Sequence, residues 1–293
     1  MSYDLYFEAG QPDPRLNAAA FEAYFRERPN YQLGNGQALY ENQTTGVYFI
    51  IDIGDVENEE EPDLLPVSLN LNYFRPHIFG LEAELEIRNF VQHFGLRVCD
   101  PQIDGMSDGE YSTERFLSGW NKGNEFGYSS FLAQPQDEPV LTLPGRRIEE
   151  CWRWNFDRDR LQEQLGESVF VPQFMFLEQD GAVKTMVVWP DAIPIALPIA
   201  DLVVIPRKDI LPKRFFRSRE DMALVDWADV EAIVSGFPIE QGALPYRLLS
   251  YEEPSEEMLS ALRGFPAVDE LPQGLPVDKI LNAELVEKAR EKG

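Results

Sequence analysis

The sequence is poor in the residues on which most catalytic and metal sites depend. It contains two histidines and two cysteines in 293 residues. His77 and His93 form no HExxH or HxH pair, and Cys99 and Cys151 form no CxxC pair. Such spacings do not specify a zinc site. We therefore expect the histidines to serve packing and the cysteines to be buried thiols without a disulfide.

Signatures of nucleophilic and nucleotide chemistry are missing as well. The chain contains no GxSxG, no GxxxxGK[ST] and no GxGxxG after a strand pattern, which are the motifs that position a serine nucleophile or cradle phosphates. The glycine pair at 34 and 36 flanks Asn35 in a pattern typical of a hairpin turn. We predict no catalytic residues, no cofactor and no metal.

Long apolar runs are absent too. No window approaches the ~18 uninterrupted apolar residues that a membrane-spanning helix needs. The first residues lack the basic and apolar regions of a signal peptide. These absences predict a cytoplasmic protein with no membrane contact.

Acidic residues are abundant. The chain has 51 Asp and Glu against 26 Lys and Arg, a formal charge of -25, and no lysine occurs before Lys122. Such a charge repels nucleic acid and anionic membranes and attracts basic surfaces. With 44% hydrophobic and 12% aromatic residues, the chain is nevertheless expected to fold around a sizeable core. The composition favours a protein that binds a basic protein rather than nucleic acid.

The order of strand and helix patterns predicts an α+β fold. Residues 1–102 follow the order strand, helix, several strands, helix, strand, which is typical of an elaborated split βαβ layer. The pattern at 67–73 alternates apolar with polar residues, as in a strand with one wet face. We predict an antiparallel sheet with both helices on one face.

The remaining chain is predicted to form three further segments. Residues 103–166 are mainly helical and act as a connector. Residues 167–265 form a second, mixed α+β domain that begins with a hairpin around the turn 179–181, and prolines at 190, 194 and 198 break the chain before a strand at 202–205. Residues 266–293 form a proline-rich linker and a C-terminal amphipathic helix.

Two groups of residues are candidates for partner binding. An acidic run between two strands is typical of a solvated loop, and we expect it to steer a basic partner; its acids are Asp55, Glu57, Glu59, Glu60, Glu61 and Asp63. Trp120 and Trp154 are predicted to supply aromatic anchors. The glycine-rich and aromatic segment 120–128 suits close approach to a ligand or peptide backbone.

Two further clusters leave alternatives open. Basic residues between Arg207 and Arg219, with aromatic residues among them, are typical of nucleic-acid contact. Because the acidic remainder opposes such contact, we expect this cluster to pair with the acidic first domain. The acids from Asp100 to Glu110, together with His77, are the candidates for a metal-assisted hydrolase site.

Several strings in the first half carry a family resemblance. They are residues 1–7 (MSYDLYF), 24–31 (YFRERPNY), 40–42 (YEN) and 45–49 (TGVYF). These strings resemble an uncharacterised group of bacterial cytoplasmic proteins, some of which accompany polymorphic or secreted antibacterial toxins as immunity proteins. The resemblance implies stoichiometric occlusion of a toxin and no catalytic residues.

The hypothesis from the sequence is therefore an acidic binding protein that is not an enzyme, acting as the immunity partner of a basic antibacterial toxin. Two alternatives remain at this stage. One is a chaperone or adaptor that binds a nontoxic region of a secreted effector. The other is a metal-assisted hydrolase.

Overall fold

The computed structural model describes residues 1–10, 16–53, 64–102, 105–135, 139–211 and 221–292. Within these ranges the helices are α1 (Ala18–Arg26), α2 (Ile78–Phe94), α3 (Thr113–Leu132), α4 (Gly145–Leu165), α5 (Trp227–Val234), α6 (Glu256–Gly264) and α7 (Ala283–Lys292). The strands of the first half are β1 (Ser2–Ala9), β2 (Tyr31–Gly34), β3 (Gln37–Glu41), β4 (Tyr48–Ile53), β5 (Leu64–Asn72), β6 (Leu96–Cys99) and β7 (Thr142–Leu143). Those of the second half are β8 (Met175–Gln179), β9 (Ala182–Val188), β10 (Ile195–Pro198), β11 (Leu202–Pro206), β12 (Met222–Asp226), β13 (Ile239–Glu240), β14 (Tyr246–Leu249) and β15 (Leu281–Asn282). The predicted α+β class is confirmed.

The chain divides into two compact units. Unit 1 comprises residues 1–148 and 277–293, and unit 2 comprises residues 149–276. These limits differ from the predicted domains. α3 belongs to unit 1, most of α4 belongs to unit 2, and the C-terminal helix α7 belongs to unit 1.

Side chains of α4 explain why the second unit begins early. The Trp154 indole N–H donates to the Pro172 carbonyl at 2.7 Å. The Asn155 amide exchanges two hydrogen bonds with the backbone of Phe174, at 2.8 and 3.0 Å. Because α4 binds the segment that follows it, it is part of that unit rather than a separate connector.

Unit 1 is built on a six-stranded sheet in the order β2-β3-β4-β5-β1-β6. All neighbouring strands are antiparallel. β1 lies between β5 and β6, which are joined by α2; this is the split βαβ arrangement. Phe90 of α2 contacts Phe21 and Phe25 of α1, so both helices cover the same face of the sheet.

The two faces of this sheet differ sharply. The inward side chains are apolar or aromatic and buried, including Tyr3, Leu5, Phe49, Ile51 and Leu69. The side chains that alternate with them on β1, β4 and β5 remain at least partly exposed wherever their burial is described. This is the period-two pattern of an antiparallel sheet with one wet face.

Unit 2 contains two smaller sheets. One has the order β12-β11-β9-β8, with β9 and β11 parallel, and the other has the order β10-β14-β13. The predicted hairpin is present, and its turn residues Asp180 and Gly181 both have positive φ, as a two-residue hairpin loop requires.

Strand β10 was not predicted, because Pro194 and Pro198 indicated a break. Pro194 precedes the strand and Pro198 is its last residue. At these positions a proline interrupts little of the ladder.

In the described part of the chain, no helix combines the length and apolar character that a membrane span requires.

Candidate partner-binding surface

The wet side of the six-stranded sheet forms a continuous surface that we call the open face. Strand register places its central residues in two adjacent rows. One row contains Asp4, Asn70, Ile50 and Leu39, and the other contains Tyr6, Ser68 and Asp52. These seven residues define the open face.

Carboxylates on the open face are held by neutral donors. The Asn70 amide donates to Asp4 at 2.6 Å, and the Ser2 hydroxyl donates to the same carboxylate at 3.0 Å. The Gln37 amide donates to Asp52 at 2.7 Å. Such hydrogen bonds orient a carboxylate without cancelling its charge, so both acids present a fixed negative charge to solvent.

Apolar and aromatic side chains lie among these acids. Tyr6, on a central strand, is 39% exposed. Ile50 and Leu39 are half-buried and share the row of Asp4. Ile50 and Leu39 lie two and three strands from Tyr6. The open face thus combines an exposed aromatic ring, separate aliphatic side chains and polar groups, which is the composition of a protein interface. Tyrosine rings also attract guanidinium and ammonium groups.

The predicted acidic loop lies outside the described residues. Asp55, Glu57, Glu59, Glu60, Glu61 and Asp63 all fall within residues 54–63. The chain leaves the sheet at Ile53 and re-enters it at Leu64. Because β4 and β5 are adjacent and antiparallel, Ile53 and Leu64 lie at the same end of these two strands in the sheet that carries the open face.

The prediction that Trp120 and Trp154 are exposed anchors is wrong. Trp120 is 0% exposed and Trp154 is 1% exposed. The Trp120 ring packs on Gly80 of α2, where even a Cβ atom would come within 2.6 Å of the indole. Trp154 packs edge-on against Phe174 and Tyr246. Both indoles fill cores, and neither is available to a partner.

The glycine-rich segment 120–128 does make a close approach, but to unit 1 itself. A Cβ at Gly123 would lie 2.2 Å from the Tyr73 ring, and one at Gly127 would lie 3.2 Å from Tyr73 Cβ. The glycines let α3 lie directly on the end of β5. No external backbone is needed to explain this motif.

The residues considered for a hydrolase have structural partners. Asp100 is 4% exposed and accepts hydrogen bonds from the Tyr3 hydroxyl at 2.6 Å and the Met106 backbone N–H at 2.6 Å. His77 Nδ1 lies 2.7 Å from the Asn282 side-chain nitrogen. Asp104 lies outside the described residues. In the part of unit 1 and unit 2 that the structure describes, no group of three or more His, Cys, Asp and Glu side chains is arranged to hold a metal ion.

The basic cluster is only partly described, because residues 212–220 lie outside the described ranges. Arg207 is 2% exposed and pairs with Asp221 of unit 2. Its Nη1 also donates to the carbonyls of Leu262 and Phe265 at 3.0 and 2.7 Å, at the C-terminal end of α6. For Arg207 the expected pairing with the first domain is therefore wrong, since its carboxylate partner is in its own unit.

Sequence reasoning missed the open face as a site, although its signal was present. The alternation at 67–73 predicted a wet strand face, but the matching polar positions Asp4 on β1 and Asp52 on β4 were not connected with it. Strand order brings them together, and strand order is set by contacts between residues distant in sequence.

Comparison of the chain with protein-family models, with curated proteins and with solved structures finds no match.

Proposed function

We propose that this protein acts by stoichiometric binding to a basic protein partner, as a cytoplasmic immunity protein that occludes an antibacterial toxin. The observation that carries the proposal is the open face, where the oriented carboxylates of Asp4 and Asp52 share one surface with the exposed Tyr6. The resemblance of the N-terminal strings to immunity proteins provides the biological context and stays a prediction.

The charge of the chain supports a basic partner. A formal charge of -25 produces a potential that accelerates encounter with a cationic surface and disfavours nucleic acid and anionic lipid. Both units contain more acids than bases, so net charge alone does not select a binding face. The open face is distinguished from other acidic surfaces because it combines acids with apolar side chains.

The dimensions of the open face suit a protein rather than a small ligand. Adjacent strands are about 4.8 Å apart, so the six strands span roughly 25 Å, comparable to one side of a standard interface. Asp4 and Asp52 are on strands separated by β5 and lie in adjacent rows, about 10 Å apart across the strands and about 7 Å along them, so they are roughly 12 Å apart. A partner with two basic side chains at that separation can contact both acids and stack on Tyr6.

The acidic loop 54–63 is proposed to steer association rather than to hold the complex. Rim charges mainly change the association rate and its salt dependence. Reversing the charge of Asp55, Glu57, Glu59, Glu60, Glu61 and Asp63 is therefore expected to slow association and to flatten its dependence on salt. An unchanged association rate at low salt would remove the loop from the proposal.

The experiment is to purify the tagged protein from its native host at moderate salt and to identify proteins that elute in near-equal amount. We expect a basic protein whose toxicity on expression is relieved by this chain. The double variant Asp4→Asn/Asp52→Asn should lose both capture and relief. The matched control is Glu252→Gln/Glu253→Gln, which removes the same charge from two exposed positions in unit 2.

Three results would contradict the proposal. Capture of a partner through a nontoxic region would indicate a chaperone or adaptor instead. Equal binding by the open-face variant and the control would show that charge acts without this surface. A monomer that turns over a substrate would indicate an enzyme.

A further inference from the structure

Unit 1 contains a pocket on a different part of its surface, with a volume of about 560 Å³. Its apolar lining includes Phe74, Phe131, Leu141 and Leu281, and its charged lining comprises Arg75, Asp278 and Lys279. Ligand sites in proteins are mostly apolar clefts of about 300–1,000 Å³ with a few placed polar groups. The pocket has the size and composition of such a site.

The backbone that presents Phe74 and Arg75 is held in an unfavourable conformation. Phe74 has a φ of 62°, in the left-handed region that a bulky residue rarely adopts. The fully buried Asn124 holds it there: Asn124 Oδ1 accepts from the N–H of Phe74 at 2.7 Å and of Arg75 at 3.2 Å, and Nδ2 donates to the Arg75 carbonyl at 2.8 Å. Tyr128 donates to that carbonyl at 3.1 Å.

A second set of contacts brings the C-terminal segment to the same place. The His77 N–H donates to Asn282 Oδ1 at 3.0 Å, and the Asn282 N–H donates to the Tyr128 hydroxyl oxygen at 3.2 Å. The Tyr48 hydroxyl donates to Asp278 at 2.9 Å. These bonds fix the charged residues of the pocket on two separate segments, which makes the pocket preformed.

Arg75 is the unusual group in this pocket. Its Nη1 donates to the Phe74 carbonyl and its Nη2 to the Tyr48 hydroxyl, both at 3.0 Å, and its guanidinium lies 5.7 Å from the Tyr48 ring centroid. Among the described residues, no carboxylate oxygen lies within the ion-pair distance of 4.0 Å from this guanidinium. Its buried Nε–H also has no hydrogen-bond partner there.

That absence is informative in so acidic a protein. Acids outnumber bases about two to one, and other described arginines, such as Arg28, Arg207 and Arg247, have carboxylate partners. A guanidinium has five N–H donors, and its planar fork matches a carboxylate. Arg75 retains donors that pair with no carboxylate among the described residues. Lys279 adds a second positive charge at the same pocket, so the two cations outnumber the one described lining carboxylate, Asp278, which the Tyr48 hydroxyl bonds.

We infer that this pocket binds a small amphipathic anion, with one carboxylate or similar group on Arg75 and an aromatic or branched apolar body against Phe74, Phe131 and Leu281. The charge of -25 opposes the approach of any anion. That opposition is long-range and is screened over about 8 Å at physiological ionic strength, whereas the contact with half-buried Arg75 is local. The inference does not depend on the proposed protein partner.

The test uses two fluorescent probes that share the same aromatic body. One is 8-anilinonaphthalene-1-sulfonate, which carries a sulfonate, and the other is N-phenyl-1-naphthylamine, which does not. We expect one sulfonate probe to bind per chain, at least tenfold more tightly than the neutral probe. A charge-assisted hydrogen bond has this effect on affinity.

Arg75→Gln is expected to weaken the sulfonate probe roughly tenfold or more and to leave the neutral probe unchanged. The matched control is Arg97→Gln, an exposed arginine on β6 that does not line the pocket. Arg75 also makes hydrogen bonds within the fold, so its replacement could alter the structure, and a second variant is needed. Phe131→Glu serves this purpose, because Phe131 is 41% exposed. A carboxylate at this position repels the anion without opening the core. Equal affinity of both probes, or insensitivity of the sulfonate probe to both pocket variants, would overturn the inference.

Competition between the sulfonate probe and small molecules then identifies the chemical class of the anion. Displacement of the sulfonate probe by 4-phenylbutyrate but not by 4-phenylbutan-1-ol would establish the carboxylate class. Displacement by both compounds, or by neither, would overturn it.

Discussion

The two units bury opposite charges. Among the described residues, the fully or nearly buried ionic side chains of unit 1 are the carboxylates Glu82, Glu84 and Asp100, whereas that of unit 2 is the guanidinium of Arg207. A buried charge is tolerated only when hydrogen bonds or an opposite charge replace its lost hydration. The units solve that problem in different ways.

Unit 1 uses neutral donors. Glu82 is 0% exposed, and its Oε1 accepts from the Tyr40 hydroxyl at 2.7 Å, the Asn42 amide at 2.8 Å and the Thr45 hydroxyl at 3.0 Å. Glu84 similarly accepts from Thr113 at 2.5 Å, with a cation only at 3.9 Å. Hydrogen bonds from several neutral donors replace part of the hydration that a buried carboxylate loses.

Tyrosine is the recurrent donor in unit 1. Five phenols donate to carboxylates, in the pairs Tyr3–Asp100, Tyr31–Glu86, Tyr40–Glu82, Tyr48–Asp278 and Tyr111–Glu84. A chain with half as many bases as acids and no lysine before Lys122 cannot offer a cation to every acid of this unit. The comparison teaches that an acidic fold can use phenols where other folds use ammonium or guanidinium groups.

Unit 2 instead uses a buried ion pair. Arg207 bonds Asp221 through Nε at 2.9 Å and through Nη2, and it also donates to backbone carbonyls at the end of α6. The same guanidinium thus neutralises an acid and caps a helix C-terminus, where a positive charge is favourable. Its removal takes hydrogen bonds from several groups at once.

Alkaline pH should separate the units most strongly. Burial, and then the neighbouring carboxylate, raises the pKa of Tyr3, Tyr40 and Tyr111 well above the usual value of about 10. Unit 1 holds nine of the 11 tyrosines. Since the folded state retains phenolic protons that the unfolded state releases, this stability is complete below pH 10 and is lost as the pH rises above it. For each pH unit above 10, each such phenol lowers the free energy of unfolding by up to about 1.4 kcal/mol.

The measurement is ¹⁹F NMR of the full chain labelled with 5-fluorotryptophan. Trp120 reports unit 1, and the other four tryptophans report unit 2. The Trp120 resonance should lose its native position at lower pH than the others. Loss of the unit 2 resonances first, or of all five together, would show that the tyrosines do not set the alkaline limit.

Arg207→Met tests the ion pair of unit 2. It removes one buried cation from Asp221 and a hydrogen-bond donor from the end of α6, and should destabilise unit 2 by about 3–5 kcal/mol. Urea unfolding followed by the unit 2 tryptophan resonances measures this loss. The double variant Arg207→Met/Asp221→Leu removes both charges and should recover part of the lost free energy of unfolding. If it recovers none, the hydrogen bonds of Arg207 to the end of α6 contribute more to stability than the ion pair does.

The elements of the fold were largely predictable, whereas their grouping was not. Gly95 ends α2 in the left-handed conformation, and the Ser255 side chain caps α6 at 3.2 Å; both are local signals that the sequence carries. The unit boundary at residue 149 depends on Trp154 and Asn155 bonding to the following segment, which no local pattern reveals.

Tyr40→Phe tests the neutral-donor arrangement of unit 1. It removes the Tyr40 donor from the buried Glu82 carboxylate and should cost about 1–3 kcal/mol in the free energy of unfolding of unit 1. Tyr246→Phe is the control, because Tyr246 is 5% exposed and has no hydrogen bond to a carboxylate among the described residues. Equal losses would mean that any buried hydroxyl matters and that the bond to Glu82 has no special weight.

The candidate sites show the same limit of sequence reasoning. The pocket joins Arg75, Phe131 and Asp278, which are far apart in the chain, so no spacing motif marks it. Trp120 was predicted as an anchor from its residue type, but exposure depends on what α2 places against it, and Gly80 leaves room for the indole. Residue type identifies what a side chain can do, while tertiary contacts decide whether it is available.

Exposed ion pairs should show no difference between the units. Arg26–Glu22 in unit 1 and Arg160–Asp157 in unit 2 join exposed side chains of one helix at 3.3 and 3.0 Å. Such pairs contribute about 0.5 kcal/mol or less, because water already solvates both charges. Arg26→Gln and Arg160→Gln should therefore each change the urea midpoint of their unit only slightly and equally. A loss above about 1.5 kcal/mol in either variant would contradict the comparison, since charge would then matter at the surface as it does in the core.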